Sequence, residues 1–298
     1  MRVFVTGATG FVGSAIVSEL LGVGHQVVGL ARSETAAEAL AAAGAEAHRG
    51  SLEDLTALAN GAARADGVIH AAFTNVSPTT DYATSARADA AAIRALGEAL
   101  AGTDRPLVVT SGTALASVSG RSATEEDPGN WGPRVVGEEA VHELVERGVH
   151  ASVVRLASSV HDGHADRRGF VPRLVSIARE KGVSGYVGDG TNRWTGVHRA
   201  DAGVLFRLTL EQAKPGATFH GVAEEGVPLR RIAEAIGNGL GLPTTSVRDE
   251  EAGDHFGHMA LFVTLDDWSS SEQTKAQLGW RPGHLGLIDD IEHGGYLS

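Results

Sequence analysis

Three glycines spaced three apart, Gly7, Gly10 and Gly13 in VFVTGATGFVGSAIVSELL, form the first group of residues with chemical potential. A Val-Phe-Val run precedes them and an amphipathic pattern follows, so the loop joins a strand to the first turn of a helix. There Gly7 lets the chain turn sharply, Gly10 lets backbone N–H groups approach a pyrophosphate, and Gly13 lets helix and sheet pack closely. The second group follows QVVGLARSE, where Arg32 can pair with a phosphate dianion and Ser33 can donate to it. An adenosine ribose with a free 2′-hydroxyl wants a carboxylate at that point. Glu34 comes one step later, at a helix start where it stabilises the helix in its own right. The balance points to NADP(H) in preference to NAD(H). A third group, His161 and His164 in SSVHDGHADRR, offers an imidazole as proton donor. With Asp162 and Asp166 the same run has ligand types for a metal, but it lacks a helical His-x-x-x-His or a Cys partner, and no metal is expected.

The elements that must position these groups alternate. Strand-like runs cover 2–6, 26–31, 45–49, 67–70, 106–110 and 151–155, and helical patterns cover 11–21, 35–43, 52–59, 83–101 and 134–147. Apolar strands separated by helices imply right-handed βαβ units and a parallel sheet covered on both faces. The expected fold is therefore α/β, a Rossmann-type doubly wound parallel sheet that binds its ligand at the carboxyl ends of the strands. After Arg155 the rhythm breaks: a polar loop over 157–169 leads to a helix over 170–180 and the Gly-rich GVSGYVGDGTNRW. A helix over 200–211, a strand over 218–222, a helix over 229–240, a short strand near 244–247 and the capped-looking SSSEQTKAQLGWRP follow. The organisation expected is a dinucleotide-binding domain of residues 1–160 plus 196–223, with a smaller substrate lobe of 161–195 plus 224–298.

Composition narrows the function. A formal net charge of −12 argues against binding a nucleic-acid backbone. The chain has no cysteine, hence no disulfide, thiolate nucleophile or Cys-ligated metal. It begins directly in a strand, without a basic segment and long apolar run, and its other apolar runs are too short to span a bilayer. A cytoplasmic protein with a small-molecule substrate, and neither nucleic acid nor membrane as partner, is the expectation.

The spacing Gly-x-x-Gly-x-x-Gly in VTGATGFVG, with VIHAAF, VVTSGTALA and RWTGVHRADAG further on, resembles the short-chain dehydrogenase/reductase superfamily in its extended and atypical, epimerase/dehydratase-like branches. The resemblance covers nearly the whole chain. It implies cofactor contacts at Thr9, Phe11, Val12, Ser51, Leu52, Ala71, Ala72, Phe73, Thr110, Arg134, Leu156 and Ser158, besides the three glycines, Arg32 and Ser33. Ser51 stands where relatives show an adenine-contacting Asp. Relatives also use a Tyr acid/base, a Lys four residues later and an upstream Ser. The helix due to supply the first two reads NWGPRVVGEEAVHEL, with neither Tyr nor Lys; the first Lys of the chain is Lys181. Depending on register, Asn130 or Trp131 replaces the Tyr, and Arg134 or Val135 the Lys.

Five residues are then candidates for the chemistry. Ser111 ends the fifth strand with Thr113 two residues on, and either hydroxyl could bond a substrate carbonyl or cap the strand end. Asp89 aligns with the helix residue that holds a water in relatives; it relays a proton or faces solvent. Tyr82 begins the long helix, and His161 lies on the loop after the sixth strand. Further along, Trp194 is either an apolar wall of the substrate site or a core residue, Arg193 an anion contact, and Asp201 a site residue or a helix cap. The resulting expectation is an NADP(H)-dependent reductase or dehydrogenase of a small carbonyl or imine that works without the usual Tyr-x-x-x-Lys pair. A non-catalytic NADP-binding regulator and an NAD(P)-dependent epimerase/dehydratase are the alternatives, as monomer or homodimer.

Overall fold

The computed structural model describes residues 1–73 and 81–298. Its first half runs β1 (Arg2–Thr6), α1 (Phe11–Gly22), β2 (Gln26–Ala31), α2 (Glu34–Ala42), β3 (Glu46–Arg49), α3 (Leu55–Ala63), β4 (Gly67–His70), α4 (Tyr82–Glu98), β5 (Leu107–Gly112), α5 (Val135–Glu146) and β6 (Ala151–Leu156). The second half continues β7 (Ser159–His161), α6 (Phe170–Lys181), β8 (Ser184–Val187), β9 (Arg193–His198), α7 (Arg199–Gln212), β10 (Thr218–Gly221), β11 (Glu224–Pro228), α8 (Leu229–Leu240) and β12 (Thr244–Val247). Four shorter helices close it: α9 (Ala252–Phe256), α10 (Ala260–Val263), α11 (Glu272–Leu278) and α12 (Leu287–His293).

Seven strands form one sheet in the order β10-β6-β5-β4-β1-β2-β3. Every neighbouring pair in it is parallel. The strand order reverses at β1 and β4, and there the carboxyl ends diverge into the crevice where ligands of this fold class bind. Both faces are sealed. One apolar cluster joins α1, α2 and α7 to Val3, Val5, Ile69 and Val154, and the other joins α3, α4 and α5 to Phe4, Val68, Val109 and Val153. Strand residues alternate between the two clusters because successive side chains of a strand point to opposite faces.

A third cluster, drawn from residues 171–297, gives the second lobe its own core around Trp194, Ile232, Ile236 and Phe256. A three-stranded sheet β11-β9-β7 and a parallel pair β12-β8 frame it. β9 belongs to both halves: Trp194 is buried in the lobe's cluster, Val197 in the cluster shared with α1 and α7.

Several expected boundaries shift. The region expected as a polar loop over 157–169 contains β7, and the Gly-rich stretch contains β8 and most of the run into β9. β7 pairs parallel with β9, 37 residues ahead from Ser159 to Gly196, and such a partner leaves no local periodicity to read. The helix expected at 52–59 starts later, at Leu55, because Asp54 caps it by accepting from the Ala57 N–H at 2.9 Å. The helix expected at 83–101 starts at Tyr82, because the Asp81 carboxylate accepts from the N–H groups of Ala83 and Thr84.

Candidate active site

The glycine loop is built against β4. Gly7 has φ of +68°, and a Cβ on it would lie 2.7 Å from the Ala71 carbonyl oxygen, so chain direction and close packing both demand glycine. A Cβ on Gly13 would overlap the Gly7 carbonyl oxygen. Gly10 is the N-cap of α1 and brings no side chain to cap it. The N–H groups of the helix's first turn, at Phe11, Val12 and Gly13, therefore have neither an intrahelical acceptor nor a capping oxygen from Gly10. They and the positive end of the helix dipole meet the crevice, a ready arrangement for an anion. Thr9 and Gly10 are exposed, while Phe11, Val12, Ala71, Ala72 and Phe73 are half-buried along the edge.

At the end of β2, Arg32 and Ser33 are both exposed. The Ser33 Oγ accepts from the Ala36 N–H at 3.2 Å as the N-cap of α2, which leaves its proton to give. Arg49 donates to the Ser33 carbonyl at 2.8 Å and pairs with Glu34, taking up that carboxylate. The Glu53 carboxyl is held below its ordinary value, first by the neighbouring Ser51 hydroxyl, with the Arg32 charge contributing. Leu52 packs on the α3–α4–α5 cluster.

Four of the five candidate catalytic groups are committed inside the protein. Ser111 donates to Glu138 Oε1 at 2.6 Å, and that carboxylate is held from the other side by Arg155, with Nε at 2.9 Å and Nη2 at 2.6 Å. Burial pushes the Glu138 carboxyl up, but Arg155 and Ser111 pull it below the ordinary value overall. Thr113, fully buried, donates to Asp267 Oδ2 at 2.7 Å. The same oxygen accepts from Ser158 and Thr195, both at 2.6 Å, and Ser269 donates to Oδ1 at 2.8 Å. One carboxylate from the C-terminal lobe thus collects hydroxyls from β9, from the end of β5 and from the turn after β6, where Leu156 is also buried. Neither hydroxyl expected to face a substrate, Ser111 or Thr113, has its proton to spare.

Asp89 is neither solvent-facing nor open to the crevice. It is 5% exposed and lies 3.0 Å from His70 Nε2, while His70 Nδ1 lies 2.8 Å from Thr6 Oγ1. Since the carboxylate only accepts, His70 donates to Asp89 and takes the Thr6 proton, and Thr6 Oγ1 accepts from the Ala72 N–H at 3.3 Å. This chain fixes the end of β4 over the glycine loop. His161 sits in β7 rather than on a loop; it is 1% exposed, and its Nδ1 donates to Asp290 at 2.7 Å.

Tyr82 differs. Among the described residues its hydroxyl has no hydrogen-bond partner. Its ring meets Phe73 edge-on at 5.8 Å, and the Arg134 guanidinium lies 4.2 Å above the other ring's centroid, donating from Nη2 to the Thr110 carbonyl at 3.1 Å. Phenol, phenyl ring and guanidinium therefore gather beyond the ends of β4 and β5, although they come from three separate elements. Burial lifts the Tyr82 pKa; the Arg134 charge works against that lift and the Asp89 charge adds to it. The phenol is a proton donor at neutral pH.

In the second lobe, one open alternative is decided and two expectations are corrected. Trp194 is fully buried, its indole N–H donating to the Phe262 carbonyl at 3.0 Å, so it is a core residue. Arg193 is occupied by Asp266, through Nε at 2.9 Å and Nη2 at 2.7 Å. Asp201 does not cap α7: His198 does, its Nδ1 accepting from the Ala200 N–H, while Asp201 receives the N–H groups of Gly283 and His284. Among the described residues no group of three or more His, Asp or Glu is arranged to hold a metal ion, and no helix is long and apolar enough to cross a membrane. Glu138, Arg155, Asp267 and Asp290 were not legible as site residues; Ser269 beside Asp267 apart, the partners named lie 17 to 154 positions away. His70, inside VIHAAF, was legible as part of a motif but not as its pivot.

The profile of the NAD dependent epimerase/dehydratase family matches residues 3–220. The chain belongs to that family, whose members are enzymes of the short-chain dehydrogenase/reductase type. An uncharacterized protein of Schizosaccharomyces pombe is 47% identical over the full length of both chains. A 2-alkyl-3-oxoalkanoate reductase of Stenotrophomonas maltophilia is 29% identical over 82% of this chain and 77% of its own. Among solved structures, UDP-glucose 4-epimerase of Thermus thermophilus, in complex with NAD, superposes with a TM-score of 0.77 at 21% identity, covering 99% of each chain. The dTDP-glucose 4,6-dehydratase of Streptomyces venezuelae gives 0.79 at 19%, covering 100% of this chain and 96% of the other. At such identities the likeness concerns the fold.

Proposed function

We propose that the chain is an NADP(H)-dependent reductase of a small carbonyl compound, with Tyr82 as the acid that protonates the carbonyl oxygen. The observation that carries this reading is the contrast among the candidate groups: Ser111, Thr113 and Asp89 are bonded inward and His161 is 1% exposed with Nδ1 on Asp290, whereas the half-buried Tyr82 has a hydroxyl with no partner among the described residues. The cofactor assignment is supported by the glycine cradle, which a Cβ at Gly7 or Gly13 would fill, and by the uncapped first turn of α1. Arg32 and the free proton of Ser33 suit a 2′-phosphate, and Arg49 neutralises Glu34, the carboxylate that would otherwise repel it. A bound reduced nicotinamide supplies hydride; the chain's own residues hold it, exclude water and deliver a proton from the Tyr82 hydroxyl. Reduction of a ketone is the activity named for the Stenotrophomonas relative, and it agrees with this assignment.

The test has two parts. Calorimetric titration is expected to give a smaller dissociation constant for NADPH than for NADH; the reverse order overturns the NADP(H) assignment. A panel of ketones, aldehydes and cyclic imines is expected to include compounds that deplete NADPH absorbance, and a panel without one removes the reductase reading. A second reading, an NAD-dependent epimerase or dehydratase, is favoured by family membership and the fold of the sugar-nucleotide enzymes. It requires NADH to bind better and a sugar nucleotide to be converted without net cofactor consumption.

A further inference from the structure

The guanidinium beside Tyr82 has more binding capacity than the protein uses. One face is taken by Phe73, 4.2 Å from the ring centroid, and a further hydrogen-bond partner lies in the plane, where the N–H groups point. In that plane Nη2 donates to the Thr110 carbonyl at 3.1 Å, and among the described residues Nε and Nη1 have no acceptor. Neighbouring carboxylates are spoken for: Glu138 is bound by Arg155 and Ser111, and Asp89 by His70. The charge is thus uncompensated in a chain of formal net charge −12, where Arg2, Arg94, Arg121, Arg155, Arg193 and Arg207 each hold a carboxylate. Arg134 is also the N-cap residue of the 12-residue helix α5, so the positive helix end adds to the same potential. The Thr110 Oγ1 at this spot is buried without a partner among the described residues. Trp131, 44% exposed three residues upstream, and Phe73 give the place aromatic surface.

Resting on the reductase reading, we propose that the substrate is an oxo acid: its carboxylate docks in the plane of the Arg134 guanidinium while its carbonyl oxygen meets the Tyr82 hydroxyl. A carboxylate matches the fork of N–H donors that remains, and stacking on Phe73 fixes the fork's plane before the substrate arrives. The reduction balances with the groups named. Hydride from the reduced nicotinamide forms the C–H bond, the carbonyl π pair becomes the oxygen's lone pair, and the Tyr82 proton completes the alcohol; water then returns a proton to the phenolate. The carboxylate is unchanged in the product, a hydroxy acid.

The test uses the full chain with NADPH and oxo acids of increasing separation between carbonyl and carboxylate, each beside its neutral methyl ester. For at least one pair kcat/KM is expected to favour the acid by on the order of 10- to 100-fold, the worth of a charge-assisted hydrogen-bonded contact. In Arg134→Met that preference falls towards one, and Arg134→Lys restores part of it. Calorimetric binding of the same acid to the NADP-loaded protein is expected to weaken by a similar factor in Arg134→Met, with the NADPH dissociation constant within about twofold of the parent. Esters used as well as acids, or an Arg134→Met chain that weakens NADPH binding and slows acid and ester equally, overturns the proposal and makes Arg134 a cofactor contact. Those outcomes leave the reductase reading standing. If no compound depletes NADPH, that reading falls, and the binding comparison still decides whether Arg134 holds an oxo acid.

Discussion

A hydroxyl group that donates inside the protein must give up that bond before it can donate to a substrate. Ser111 donates to Glu138, Thr113 to Asp267, and the Tyr82 phenol to no described residue. Two substitutions that each remove one oxygen atom should therefore separate. Tyr82→Phe is expected to lower kcat by about 10²- to 10⁴-fold, the usual worth of a general acid, with the NADPH dissociation constant nearly unchanged. Ser111→Ala is expected to lower kcat by less than about tenfold and to cost about 1 kcal/mol of stability, because Glu138 keeps both Arg155 bonds. Steady-state kinetics and urea unfolding check both, and an equal loss of kcat in the two variants would return Ser111 to the chemistry. Sequence reading could find both hydroxyls, since residue type and the end of a strand are local properties. It could not rank them, since Glu138 lies 27 positions beyond Ser111.

At the scale of elements, the join between α7 and α1 is the most heavily tied. Arg199, the first residue of α7, donates from Nε to Asp162 at 2.6 Å and from Nη1 to the Phe11 carbonyl at 3.3 Å and Ser14 Oγ at 3.2 Å. His198 precedes it, capping α7 through Nδ1 and stacking on His284 with centroids 4.7 Å apart. Burial lowers the His198 pKa; the charge of Asp162 and, less, of Asp290 opposes this, and His284 and His161 reinforce it. The unfolded chain, with a histidine pKa of about 6.5, then binds the proton more readily than the folded one. The contribution of His198 to stability is complete above that value and is lost as pH falls from it through the lower folded pKa. Protonation also removes the lone pair that accepts from Ala200. Thermal midpoints measured between pH 8 and pH 5 should fall on the acid side of about 6.5, and His198→Asn, which can still cap, should flatten that fall. An unchanged profile in the variant would show that other groups set the acid limit. The helix itself was readable from its apolar spacing. Asp201 is a candidate for its cap because an acidic residue near a helix start is the common local signal, and only the return of residues 283 and 284 explains why that carboxylate serves another segment.

Across the whole molecule, the alternating strands and helices of residues 2–156 made the parallel sheet legible, because each element buries a face that its own sequence announces. The second lobe was less legible: β7, β9 and β11 pair across long separations and mix glycine with polar residues. The two halves are joined at Asp267, fully buried, which accepts four hydroxyls from Thr113, Ser158, Thr195 and Ser269. Asp267→Ala removes the acceptor those donors share and is expected to cost about 3 kcal/mol or more, read as a thermal midpoint several degrees lower. Asp267→Asn, which keeps one oxygen acceptor, should lose less; an equal loss in both would mean that packing, not the carboxylate, secures the joint. The same residue has a consequence for synthesis on the ribosome. Asp267 is made 154 residues after Thr113, roughly 8–30 s later at ordinary elongation rates. The sheet can form and bury its faces well before then, but the hydroxyls at its carboxyl edge wait without their shared acceptor, so the edge acquires its final shape only once Asp267 has been made.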